Sequence, residues 1–229
     1  MNIKVNGNMS DLNFPAEFID GLTNARGRVH VINRLVPEKT ALLVIDMQNF
    51  FVEPGQALEV PAARDLAPNI NRLTGAMRDQ GGTVVWIKMT LNEQDLDQWS
   101  VFPPFNGSRE RFKPVRDGEY GHQIWKELSV GDADLIVNKR RFSAFIQGSS
   151  DLHQILQDRG IDTLIITGTL TNVCCESTAR DAMMLNYRVL MVADANATLT
   201  EAAHQAALMN VMFVFGDVQT TDDVMRMLQ

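Results

Sequence analysis

The chain has only two cysteines in 229 residues, and they are adjacent, at Cys174 and Cys175. Neighbouring cysteines cannot build a disulfide framework, which suits a reducing cytoplasm. Basic residues are outnumbered: 21 Lys and Arg face 28 Asp and Glu, for a formal charge of -7. That balance argues against non-specific nucleic-acid binding, which needs a basic face. No apolar run approaches the roughly 20 residues required to cross a bilayer. The N-terminus has no continuous hydrophobic region of the signal-peptide kind. A cytoplasmic protein is expected, and the sequons at Asn8, Asn106 and Asn196 read as chance matches. No Gly-x-Gly-x-x-Gly follows the first strand and no Walker-type loop is present, so no nucleotide cofactor is indicated. No Gly-x-Ser-x-Gly elbow is present either. The four histidines, His30, His122, His153 and His204, are scattered without metal-site spacing.

What remains is an ordinary globular composition, 45% hydrophobic and 21% charged, with room for one sizeable α/β domain. Residues 1–38 are polar, without a strong period, and read as an arm that packs on the body or on a neighbouring subunit. Residues 39–229 read as a single domain. Ala41 to Ile45 is a continuous apolar run, as a parallel strand covered on both faces should be. Pro61 to Gln80 predicts a helix, with Leu66, Ile70, Leu73 and Met77 on one stripe and Gly81-Gly82 ending it. Further strands are expected at 83–88, 134–137, 163–167, 188–193 and 212–215. Helices are expected at 151–158, 174–185, 201–209 and 221–227. Residues 91–121 show no period, and long segments of that kind are often functional. The alternation predicts an α/β fold: a doubly wound, six-stranded, mainly parallel sheet with helices on both faces.

In such sheets ligands bind beyond the carboxyl ends of the strands. Three of those ends carry reactive side chains: Asp46 after the first strand, Lys139 after the third and Cys174 after the fourth. A carboxylate, an ammonium and a thiol meeting in one crevice make an acyl-transfer site. Cys174 falls on the first turn of a predicted helix, where the N–H groups favour negative charge, so its thiol pKa is expected to fall. Cys175, one residue on, points about 100° away and reads as a packing residue.

Three ordered motifs, ALLVIDMQN at 41–49, KRRFSAF at 139–145 and GTLTNVCCESTARDA at 168–182, with Val192-Ala193-Asp194-Ala195 after the next strand, carry a resemblance. Over roughly residues 38–220 the chain resembles the isochorismatase-like cysteine hydrolase superfamily. Within it the chain looks most like ureidoacrylate and N-carbamoylsarcosine amidohydrolases. The resemblance implies a catalytic triad of Asp46, Lys139 and Cys174. It also implies a cis peptide between Thr169 and Leu170, and an oxyanion hole formed by the Leu170 and Cys174 N–H groups. It implies a cofactor-free, metal-independent hydrolase acting on a small amide, ureido or cyclic amide substrate, in a homo-oligomeric assembly (dimer or tetramer).

Departures matter too. True isochorismatases, which cleave a vinyl ether, carry a residue other than cysteine at the Cys174 position. Nicotinamidases have a metal-binding Asp-x-His…His after the second strand, whereas Lys88 to Gln94 holds no histidine here. Phe142 stands where some relatives have tyrosine. Gln48, Asn49, Trp86, Phe142, Phe145 and Asn172 are candidate substrate contacts. Trp99 is a further aromatic candidate, and Arg109, Arg111 and Lys113 are candidates for meeting a substrate carboxylate. The competing readings are a vinyl-ether hydrolase and a catalytically silent binding or assembly module of the same fold.

Overall fold

The apolar run at Thr40–Ile45 forms β1, every residue of which is buried. It lies at the centre of a six-stranded sheet, in a computed structural model that describes Leu12, residues 14–102 and residues 107–229. The other strands are β2 (Thr83–Met89), β3 (Leu135–Lys139), β4 (Thr163–Thr169), β5 (Arg188–Ala197) and β6 (Asp217–Gln219). Their order is β3-β2-β1-β4-β5-β6, and all five pairings are parallel. Chain order therefore reverses between β1 and β4. Beyond the carboxyl ends of these two strands lies the crevice where doubly wound sheets bind ligands.

Helices cover the faces. Ala67–Asp79 buries Ile70, Leu73, Thr74 and Met77, the stripe its apolar spacing calls for. The predicted helix start at Pro61 is a 3-10 segment, Pro61–Leu66, which runs into the α-helix. Leu152–Asp158, Glu176–Met184, Glu201–Asn210 and Thr221–Met227 complete the layers. Among the described residues no helix is long and apolar enough to cross a membrane.

Three expectations are corrected. The run Met212 to Phe215 is not a strand. Val211–Phe215 continues the preceding helix as a π turn, burying Val211 and Met212 and leaving Phe213 and Val214 exposed. A short apolar run does not by itself separate a buried strand from a helix end. Second, the aperiodic stretch from 91 to 121 contains the helix Glu93–Gln98, opened by a reciprocal Asn92–Asp95 capping box. It also contains two 3-10 segments, Arg109–Val115 and Tyr120–His122. Third, the polar N-terminal stretch includes a helix, Ala16–Arg26, closed by Gly27 at φ 73°. The sequons at Asn8 and Asn106 lie outside the described residues. Asn196 is buried, and its amide donates to the Ile166 and Val192 carbonyls at 2.8 and 2.6 Å.

The described part of the arm packs on the body. The buried Asp217 of β6 accepts the Val31 and Ile32 N–H groups at 2.7 and 2.9 Å and faces His30 Nδ1 at 2.9 Å. Gln219 donates back to the Ile32 carbonyl at 2.7 Å. The arm is thereby fastened to β6, the last strand of the sheet.

A second carboxylate clamps the opposite side. Asp134, just before β3, accepts Arg78 Nε and Nη2 at 2.9 and 2.6 Å, Trp86 Nε1 at 2.7 Å and the Gly131 N–H at 2.8 Å. Burial alone raises its pKa, but the hydrogen bonds from Arg78, Trp86 and Gly131 outweigh it and hold the carboxyl below its usual range. A depressed folded-state pKa gives stability that is present above the unfolded value and lost as pH falls through the folded one. Asp134→Ala should therefore cost about 3 kcal/mol at neutral pH, because it leaves Arg78 and the Trp86 N–H without their acceptor. Denaturant unfolding across pH should show that deficit shrinking in acid; a deficit that stays constant or grows would contradict the linkage.

Candidate active site

The carboxyl ends of β1, β3 and β4 place three side chains in one contact. Asp46 follows β1 directly, with its N–H bonded to the Ile87 carbonyl at 2.8 Å and φ at 52°. A left-handed backbone is uncommon for a residue with a side chain and marks a position fixed by its surroundings. Gly168, near the end of β4, makes room for this turn. A Cβ there would sit 2.1 Å from the Ile45 carbonyl oxygen, so no other residue fits without moving the backbone that carries Asp46. Lys139 is the last residue of β3, in register with Met89 of β2.

Lys139 Nζ lies 2.9 Å from Asp46 Oδ2, and both side chains are fully buried. The same ammonium donates to Cys174 Sγ at 3.5 Å and to the Arg141 carbonyl at 3.2 Å. Among the described residues Asp46 Oδ1 has no hydrogen-bond donor, and the carboxyl acts on the Cys174 thiol through its charge.

Burial sets the protonation of this cluster. For Lys139 burial is the largest single influence and pulls its pKa down, but the negative charge of Asp46 and the contact with Cys174 together raise it. For Cys174 burial and the charge of Asp46 push the thiol well up, and Lys139 opposes them without winning. The balance favours the thiol over the thiolate at Cys174 and the ammonium at Lys139. This corrects the expectation of an acidic thiol. Cys174 sits in a π turn, Thr171–Cys175, ahead of the helix Glu176–Met184, and the helix-end field is smaller than the cost of a buried thiolate beside a carboxylate.

The backbone around the thiol is ordered by one carbonyl. Leu170 O accepts the N–H groups of Val173 and Cys175 at 3.1 and 3.2 Å, and the Thr169–Leu170 peptide is cis. Cys175 turns back toward β4, with Sγ 4.0 Å from the Thr167 carbonyl.

Cys174, Leu170 and Val173 open onto a cavity of about 360 Å3 whose walls include Phe50, Phe51, Leu91, Phe112 and Phe142. Of the six candidate substrate contacts, only Phe142 lines it. The Gln48 amide is committed to the main chain, donating to Met89 and His122 carbonyls at 3.1 and 3.2 Å and accepting the Met89 N–H at 2.8 Å. Asn49 donates to the Tyr120 carbonyl at 3.0 Å. Trp86 is a core residue on β2, held by Asp134. Phe145 packs against Tyr187, and Asn172 accepts the Thr198 hydroxyl at 2.6 Å. Trp99 stacks on Phe102 and meets Phe142 edge-on, so it backs the wall rather than forming it.

Phe50, Phe51, Leu58, Met89, Leu91 and Phe112 escaped the sequence reading. Signals existed for three of these positions: Phe50-Phe51 directly follows the Asp46 motif, and Met89 ends the strand between those bearing Asp46 and Lys139. Among the described residues no group of three or more His, Cys, Asp or Glu side chains is placed to hold a metal ion.

Fold and edge chemistry define a doubly wound α/β protein with its site at the strand-order reversal. The isochorismatase domain model matches residues 40–223, and the chain belongs to the isochorismatase family of hydrolases. Over 75% of this chain and 87% of its partner, it is 36% identical to a probable inactive nicotinamidase of Arabidopsis thaliana. Over 81% of this chain and 85% of its partner, it is 32% identical to a ureidoacrylate amidohydrolase of Klebsiella pneumoniae. Its structure superposes on a cysteine hydrolase of Pseudomonas syringae with a TM-score of 0.73 and 29% identity, covering 85% of this chain and 94% of the other.

Removing one member of a buried ion pair strands the other charge. Lys139→Met should destabilise the fold by about 3–5 kcal/mol, while the double variant Asp46→Asn with Lys139→Met should lose markedly less. Denaturant unfolding of both single variants, Lys139→Met and Asp46→Asn, and of the double checks this, and additive losses would show that the two groups do not interact.

Proposed function

We propose that the chain is a cysteine hydrolase that cleaves the C–N bond of a small amide, ureido or cyclic amide substrate through a thioester, without a metal ion. The observation that carries the reading is the fully buried Asp46–Lys139 pair in contact with a thiol that opens onto an apolar cavity. The amidohydrolase and cysteine-hydrolase relatives support it.

In this reading the thiol is activated only as it reacts. As Cys174 Sγ attacks the substrate carbonyl carbon, Asp46 takes the thiol proton, and the Lys139 ammonium, beside the sulfur, stabilises the negative charge that passes from it to the substrate. The carbonyl oxygen becomes an oxyanion held by the N–H groups of Leu170 and Cys174. The C–N bond then breaks, and the proton on Asp46 passes to the departing nitrogen. A water molecule next attacks the thioester and gives a proton to Asp46. As the C–S bond breaks, that proton returns to Sγ, and the acid is released. Asp46 suits this exchange because its Oδ1 faces no competing donor among the described residues. Lys139, held by Asp46 and the Arg141 carbonyl, keeps its proton throughout.

The Arabidopsis relative described as probably inactive favours a second reading, a silent binding module that keeps the fold. Activity measurements separate the two. In ammonia-release assays on a panel of amides and ureido compounds, Cys174→Ala should lose activity by at least about 1,000-fold, as removal of a nucleophile does. Cys175→Ala should retain most of it. Loss in Cys175→Ala with retention in Cys174→Ala would overturn the assignment, and inactivity of the unaltered enzyme on every amide would favour the silent module.

A further inference from the structure

We infer that the group delivered to Cys174 is uncharged and apolar, an aromatic or branched hydrocarbon amide rather than one bearing a carboxylate. The inference rests on the amidohydrolase reading and names the substrate class of that same site. The cavity walls are hydrocarbon: Phe50, Phe51, Leu58, Leu91, Phe112 and Phe142 stand around the space that ends at Cys174. Among the described residues none of its lining side chains is ionised. At about 360 Å3 the space is large enough to enclose a whole small ligand.

A carboxylate drawn into such a space would lose its water and, among the described lining residues, find no cation. Arginines of the surrounding segments are engaged by other groups, Arg111 donating to the Ala57 carbonyl at 2.8 Å. Arg109 is paired with Asp97 at 2.6 Å, Arg140 with Asp95 at 3.2 Å and Arg116 with Glu93. The Arg141 guanidinium lies over the Trp99 ring, 5.0 Å from its centre. Lys139 is buried behind the thiol and already faces Asp46. Nor do the neighbouring amides offer a polar alternative, since Gln48 and Asn49 are bonded to the main chain. The one polar requirement of the cavity is at its end, where Cys174 sits. An amide with an apolar acyl group satisfies both halves: its hydrocarbon leaves water for the phenylalanine walls, and its carbonyl meets the thiol.

Two matched compounds test this: phenylacetamide and its 4-carboxy derivative, which share the reacting carbonyl and differ in one remote charge. Binding is read by calorimetry on Cys174→Ala, or on Cys174→Ser if the alanine variant does not fold. Turnover is read as ammonia release by the unaltered enzyme. An uncompensated buried carboxylate should weaken binding and kcat/KM by at least about 100-fold. Preferential binding of phenylacetamide supports the inference even if neither amide is hydrolysed, in which case the amidohydrolase reading fails alone. Equal or better binding of the carboxylated twin overturns the inference, as does failure of both compounds to bind.

Discussion

The ion pair between Asp46 and Lys139, with no exposed atom on either side chain, is the interaction on which the site depends. Two charges removed from water are tolerated only when they are close and well partnered. The strand order supplies that closeness. Asp46 follows β1 and Lys139 ends β3, with β2 between them. The lysine side chain reaches across the end of β2, passing within 3.9 Å of the Met89 sulfur. Gly168 lets β4 press against the turn that aims Asp46. A fold that placed these strand ends even one strand further apart would strand both charges.

That dry ion pair then dictates the state of the thiol beside it. Cys174 faces a carboxylate that disfavours a thiolate and an ammonium that favours one, and burial tips the balance toward the thiol. A base held next to a neutral nucleophile moves its proton only when a carbonyl arrives to take the electrons. Burial of Asp46 and Lys139 behind the sulfur also keeps the proton from exchanging freely with solvent. The apolar walls in front of the sulfur serve the same end, because a low-dielectric lining strengthens each electrostatic contact beside it.

Much of this was legible in the sequence. Continuous apolar runs at 41–45 and 163–167 mark strands covered on both faces, and the alternation with helices fixes a parallel sheet. The three strand ends bearing Asp46, Lys139 and Cys174 follow from that, and the structure brings them into contact. The pocket was not legible. Apart from Phe142, which adjoins the lysine motif, and Phe50, which follows the Asp46 motif, its walls come from Leu58, Leu91 and Phe112, far apart in sequence and indistinguishable there from core residues. Polar candidates near the motifs misled for the complementary reason: the amides of Gln48 and Asn49 satisfy backbone groups that the turn after β1 leaves open. The thiol's state also escaped a local reading. A helix-end argument sees only the turn, whereas burial and Asp46 act through the tertiary structure. Residues 212–215 failed as a strand because an apolar run at a helix end carries the same composition.

The central claim is that Cys174 rests as a thiol and loses its proton to Asp46 only during attack. Ultraviolet thiolate absorbance, taken as the difference between the unaltered protein and Cys174→Ala across pH, tests it most directly. The account predicts no thiolate signal from Cys174 at neutral pH, with any rise confined to pH values above the ordinary thiol range. A full thiolate signal at neutral pH would contradict it.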